Sequence, residues 1–148
     1  MRPGLILLVT ALLSFLVDQA SKVWVLEVLD LPARGVIHVA PPYLVFVMAW
    51  NEGINFGIPF GGRWFLVALA VGISGALAWW VLTKNRGVLA LAGGLVVGGA
   101  LGNALDRVLY GAVADFLNMS CCGVQNPFSF NVADTAIFLG AALIIWKA

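Results

Sequence analysis

Apolar residues fill four long stretches of the chain, and polar residues collect where those stretches begin and end. The stretches cover residues 4–26, 64–82, 88–105 and 132–146. Crossing about 30 Å of hydrocarbon takes roughly 20 apolar residues in a helix, so each is predicted to span a bilayer. The fourth is short, and bilayer mismatch costs only fractions of a kcal/mol per Å, which leaves room for local thinning. The basic start and apolar core at the N-terminus resemble a secretory signal. No small-residue cleavage site closes it and further spans follow, so it is expected to stay as the first helix.

Between the first two spans the pattern changes period. In "GVIHVAPPYLVFVMAWNEGINFGIPFGG" the runs at 36–39 and 44–50 read as strands around Pro41-Pro42. A small outer β element is predicted over about residues 36–58, lying at the bilayer surface as a roof. The expected fold is an all-α membrane bundle of four transmembrane helices carrying this β element, as one domain over residues 1–148. Gly94, Gly98 and Gly102 recur at helical spacing in the third span and predict a close-packing face.

Composition supports a membrane assignment. Of 148 residues, 62% are hydrophobic and only 10% charged, against roughly 25% charged in soluble domains. A formal charge of +1 gives no basic field, so nucleic acid is excluded as a partner. Cys121 and Cys122 are adjacent, which is not a C-x-x-C pattern, and His38 is the sole histidine; neither metal nor cofactor is expected. His38 reads as an interfacial strand residue, and the cysteine pair has no assigned role.

Basic residues set the orientation. Arg2, Lys84, Arg86 and Lys147 lie in very short segments, whereas Lys22, Arg34, Arg63 and Arg107 are spread over long connections. Dense positive charge marks the cytoplasmic side, so both termini are expected there. Asp18, Asp106, Asp115 and Asp134 then gather at the outer face, with Asp106 and Asp115 following the third span and Asp134 opening the fourth. Charges at such depth are costly unless paired, hydrated or protonated, and their clustering suggests a site.

Two carboxyls brought together in a poorly hydrated pocket cannot both ionise, so one holds a proton. If Asp115 and Asp134 form such a pair, the ionised member can activate water against an amide carbonyl. The protonated member steadies the oxyanion and later donates to the leaving nitrogen. Asn131 and Asp134 share a face if the fourth helix has begun, and Asn131 could instead cap it. Asn103, Asp106 and Arg107 share a face too, and Arg107 could pair with Asp106 or donate to a substrate carbonyl. Asp18 and Lys22 have the favourable i, i+4 spacing of a structural pair. Asn51, Gly53 and Gly57 permit tight turns, and Asn51 offers donor and acceptor to a peptide. A rival reading is a small transporter or proton-conducting protein; the lack of a mid-span acid and of an inverted repeat opposes it.

In order along the chain, "VDQASK", "NEGINFG", "GNALDR", "VADF" and "FNVADTAI" resemble the motifs of bacterial lipoprotein signal peptidase, or signal peptidase II. The resemblance implies a four-span aspartic endopeptidase of the inner membrane. Its partners are membrane lipid and a lipid-modified prolipoprotein, cleaved before the diacylglyceryl-cysteine, and its expected state is monomeric. Catalytic aspartates fall on Asp115 and Asp134. Substrate-positioning residues fall on Asn51, Asn103, Arg107 and Asn131, with Asp18, Lys22, Gly53 and Asp106 supporting the site.

Overall fold

The structure, a computed structural model, describes residues 2–53 and 62–148. Gly57 and the end of the predicted β region therefore lie outside the described residues. Helix α1 (Pro3–Val23) starts with Pro3 in its first turn, where a missing N–H costs nothing, and runs on as a π-helical turn, Trp24–Val28. A short α2 (Leu31–Arg34) leads into strands β1 (Val36–Ala40) and β2 (Leu44–Asn51). Helices α3 (Arg63–Thr83) and α4 (Gly87–Tyr110) follow, then strand β3 (Val113–Met119) and helix α5 (Val132–Lys147).

Three helices among the described residues are long and apolar enough to cross a membrane: Pro3–Val28, Arg63–Thr83 and Gly87–Tyr110. With 16 residues, α5 is about 24 Å long at 1.5 Å per residue, short of a full hydrocarbon core. Its Phe138, Ile145 and Trp146 are nevertheless widely exposed, as lipid-facing side chains are. The protein is thus mostly helical, with three to four membrane-crossing helices and a small antiparallel sheet.

Helix α4 is the centre of the bundle, packed by α1, α3 and α5. Its glycine face meets α1: a Cβ on Gly98 would collide with Ser14 Oγ and the Ala11 carbonyl, and one on Gly102 would stand 2.5 Å from Asp18 Oδ2. This close approach sets Asp18 against the polar end of α4. The helix runs to Tyr110, beyond the expected Leu105, so Asp106 and Arg107 lie inside its last turns rather than after the span. It stops where Gly111 turns left-handed at φ 80° and donates its N–H to the Arg107 carbonyl.

The sheet order is β1-β2-β3, all antiparallel. The segment carrying "VADF", which follows the third span, is the third strand. Asn51 pairs with Val113 and Ala49 with Asp115, beyond a register shift that separates them from the Phe46–Leu117 pair. Phe46 and Phe116 pack edge to face, 5.7 Å between ring centres, in a core with Val25 and Leu31. The sheet is thereby clamped to the end of the first helix. On the other side of β3, Leu117 and Phe130 exchange backbone hydrogen bonds at 2.8 and 2.9 Å, which brings the start of α5 beside Asp115.

Candidate active site

Asn131 is the N-cap of α5 and fully buried. Its Oδ1 accepts the Asp134 N–H at 2.9 Å, and its own N–H donates to Asp134 Oδ2 at 3.3 Å, so the two close a reciprocal capping box. The side-chain nitrogen reaches the opposite way, donating to Asp115 Oδ1 at 2.8 Å and to Asn103 Oδ1 at 3.0 Å. A single residue therefore touches both acids. The cap, left open from the sequence alongside a shared helix face, is formed.

The remaining bonds complete the setting. Asn103 Nδ2 donates to Asp134 Oδ1 at 3.0 Å, and Asn51 Nδ2 donates to Asp115 Oδ2 at 3.3 Å. Asn51 Oδ1 in turn accepts the Gly53 N–H at 3.0 Å, closing a turn in which Gly53 takes φ 95°. That left-handed conformation is open to glycine and strained for other residues. Burial, and after it the neighbouring Asp134 charge, push the Asp115 carboxyl up to about 6, against the lowering effect of Lys22 and of the bonds from Asn51 and Asn131.

Beneath this pair lies a second group of charges. Lys22 Nζ is 2.7 Å from both Asp18 Oδ2 and Asp106 Oδ2, and all three side chains are buried. The spacing of Asp18 and Lys22 predicted the first ion pair; the second, to a residue on another helix, was not visible in it. Asp106 pairs with Lys22 and not with Arg107. Among the described residues the Arg107 guanidinium forms no ion pair and its buried Nε has no partner; Nη1 donates to the Asn103 carbonyl at 3.4 Å.

Sequence reasoning missed Gln19, whose Nε2 donates to Asp18 Oδ2, Asp106 Oδ1 and the Gly102 carbonyl at 3.1–3.2 Å. It also missed Ala114 and Ala133, whose N–H groups bond to buried carboxylates. The repeated tripeptide Val-Ala-Asp, at 113–115 and 132–134, was the available signal. His38 is exposed on β1, and Cys121 and Cys122 are exposed free thiols.

Residues 10–148 match the family described as Signal peptidase (SPase) II. The chain belongs to that family. A lipoprotein signal peptidase of Methylobacterium sp. (strain 4-46) is 42% identical over 146 residues, 96% of this chain and 87% of the relative. One of Nitrobacter hamburgensis is 37% identical over 156 residues, covering 100% and 92%. A solved bacterial membrane enzyme superposes with a TM-score of 0.81 at 29% identity, covering 95% of this chain and 90% of the other. This signal peptidase II is a multi-pass bacterial membrane enzyme and an aspartic peptidase. The transporter reading gives way to that membership.

Proposed function

We propose that Asp115 and Asp134 are the catalytic pair of this signal peptidase II, and that they share one proton across a bound peptide. As a member of its family the enzyme removes signal peptides from prolipoproteins. The observation that carries the residue assignment is the position of Asn131, hydrogen-bonded to both carboxyls at once.

In the proposed cycle Asp115 carries the proton at the start. Asp134 takes a proton from water as the water oxygen adds to the scissile carbonyl carbon. Asp115 gives its proton to the carbonyl oxygen, so the intermediate is a neutral gem-diol. Asp134 then protonates the amide nitrogen, the C–N bond breaks to release the amine, and Asp115 recovers a proton from one gem-diol hydroxyl, whose oxygen becomes the carbonyl of the product acid. Both acids end as they began. Asn51, Asn103 and Asn131 supply N–H donors around the carboxyls, and Arg107, with unused N–H capacity near the pair, donates to a substrate carbonyl.

The proposed substrate is a prolipoprotein already carrying a diacylglyceryl group on cysteine, cleaved just before that residue. The pair lies at one end of the bundle, where α4, β3 and α5 meet, so the acyl chains of such a substrate can stay in lipid while its backbone reaches the acids. In the inner membrane, with both termini cytoplasmic by the distribution of Lys and Arg, that end faces outward. The test is cleavage of a lipid-modified prolipoprotein in detergent. Asp115→Asn and Asp134→Asn are each expected to abolish it while the protein stays monodisperse; clear residual turnover by either would remove that residue from the pair.

A further inference from the structure

Neither carboxylate on Lys22 ends its role there. Asp106 Oδ2, 2.7 Å from Lys22 Nζ, also accepts the Ala114 N–H at 3.1 Å. Asp18 holds Lys22 with Oδ2 at 2.7 Å and accepts the Ala133 N–H with Oδ1 at 2.8 Å. Ala114 immediately precedes Asp115, and Ala133 immediately precedes Asp134. Two copies of Val-Ala-Asp, one on a strand and one opening a helix, are thus held by the same backbone atom in the same position. One ammonium joins the two holders.

We propose that Lys22, Asp18 and Asp106 are positioning residues that form a two-armed brace, fixing the separation of Asp115 and Asp134 through the Ala114 and Ala133 N–H groups. The inference rests on Asp115 and Asp134 being the catalytic pair. Taking three charged groups out of water is costly, and an apolar contact would bind the same elements together at less cost. An apolar contact, however, is non-directional, whereas an N–H to carboxylate bond fixes both a distance and an angle. Separation matters because both carboxyls must reach one scissile bond, and a misplacement of about 1 Å can cost 100-fold in rate.

The two arms differ in a way that a simple pair of ion pairs does not. Asp106 makes both of its brace contacts through Oδ2; among the described residues Oδ1 is hydrogen-bonded only by the amide of half-buried Gln19. An asparagine at 106 can place its single oxygen at the Oδ2 position and keep both contacts, while Gln19 turns aside. Asp18 splits its contacts, Oδ1 to Ala133 and Oδ2 to Lys22. An asparagine at 18 must turn its NH2 toward one of two donors, so one arm always opens.

The experiment measures kcat and KM on a lipid-modified prolipoprotein for the detergent-purified variants Asp106→Asn, Asp106→Ala and Asp18→Asn. Asp106→Asn is expected to keep kcat within about tenfold of the native enzyme, with the other two about 100-fold down or more, and KM little changed in all three. The pH profile adds a readout that mere loss of folded enzyme would not move. A wider pair couples less, so the limbs of the kcat profile move closer in Asp18→Asn and stay in place in Asp106→Asn. Equal losses in Asp106→Asn and Asp18→Asn, or native kcat in Asp106→Ala, would overturn the brace. If Asp106→Ala fails to fold, the two isosteric asparagine variants decide between themselves. Failure of the catalytic assignment is read separately, from turnover by Asp115→Asn.

Discussion

Asn131 Nδ2 stands 2.8 Å from Asp115 Oδ1, while the same residue is tied to Asp134 by two further bonds of 2.9 and 3.3 Å. Its cap and its bridge are separable. Serine is as good an N-cap as asparagine but carries no side-chain N–H, and it is too short to reach Asp115. Asn131→Ser and Asn131→Ala both lose the buried donor, but Asn131→Ser is expected to keep the cap and so to be roughly 1 kcal/mol more stable than Asn131→Ala. Both should lose at least about tenfold in kcat with the donors to Asp115 and Asn103 gone. Thermal unfolding and turnover on the same two variants check this.

The raised Asp115 value has consequences of opposite sign for activity and for folding. As the proton carrier, Asp115 fails as pH rises through its folded value, so the alkaline limb of kcat/KM in the free enzyme is expected near 6. A carboxyl at about 6 when folded and 3.8 when unfolded binds its proton more readily in the folded state. Stability then declines as pH rises between those values and stays lowered above them. Asp115→Asn removes this penalty. It should gain on the order of 1 kcal/mol of stability at pH 7 and nothing below pH 4, read by thermal unfolding at both pH values.

What was legible in the sequence follows from what each signal depends on. Apolar runs report burial in lipid residue by residue, so the helices and the strands at 36–40 and 44–51 could be located from composition and period alone. The end of α4 was placed too early because Leu105 closes the oily run, whereas the backbone continues until Gly111 can turn left-handed. Strand β3 was missed because "VADFLNM" has no clean alternation; its strand state comes from β2 on one side and Phe130 on the other. Side chains can be named one at a time from the sequence. Lys22 joining two helices, and the alanine N–H groups beneath the acids, depend on tertiary geometry that spacing along one helix does not encode.

The approach of α1 to α4 is what brings Asp18 to the brace, and Gly102 permits it. A methyl group there would press on the Asp18 carboxylate, whereas at Gly72 on α3 it meets open space. Alanine favours a helix over glycine by about 1 kcal/mol, so Gly72→Ala is expected to be neutral or mildly stabilising and fully active. Gly102→Ala should instead destabilise by about 1–3 kcal/mol as overpacking does, and lower kcat. Melting temperature and turnover of the two variants, measured side by side, separate packing at the brace from helix propensity.

Arg107 offers the reverse test, a residue whose loss should spare the fold. Among the described residues its guanidinium forms no ion pair, its Nε has no partner, and its one hydrogen bond is long at 3.4 Å. Truncating it orphans no buried carboxylate, since Asp106 is satisfied by Lys22, Gln19 and Ala114. If its free N–H groups meet a substrate carbonyl, Arg107→Gln removes a charged donor worth roughly 1.5–3 kcal/mol, a loss of about 10- to 100-fold in kcat/KM. The melting temperature should stay within a degree or two of native, as for a substitution that leaves no buried partner unpaired. A variant that loses stability as much as activity would place Arg107 in the scaffold. One that keeps full kcat/KM would remove it from substrate binding.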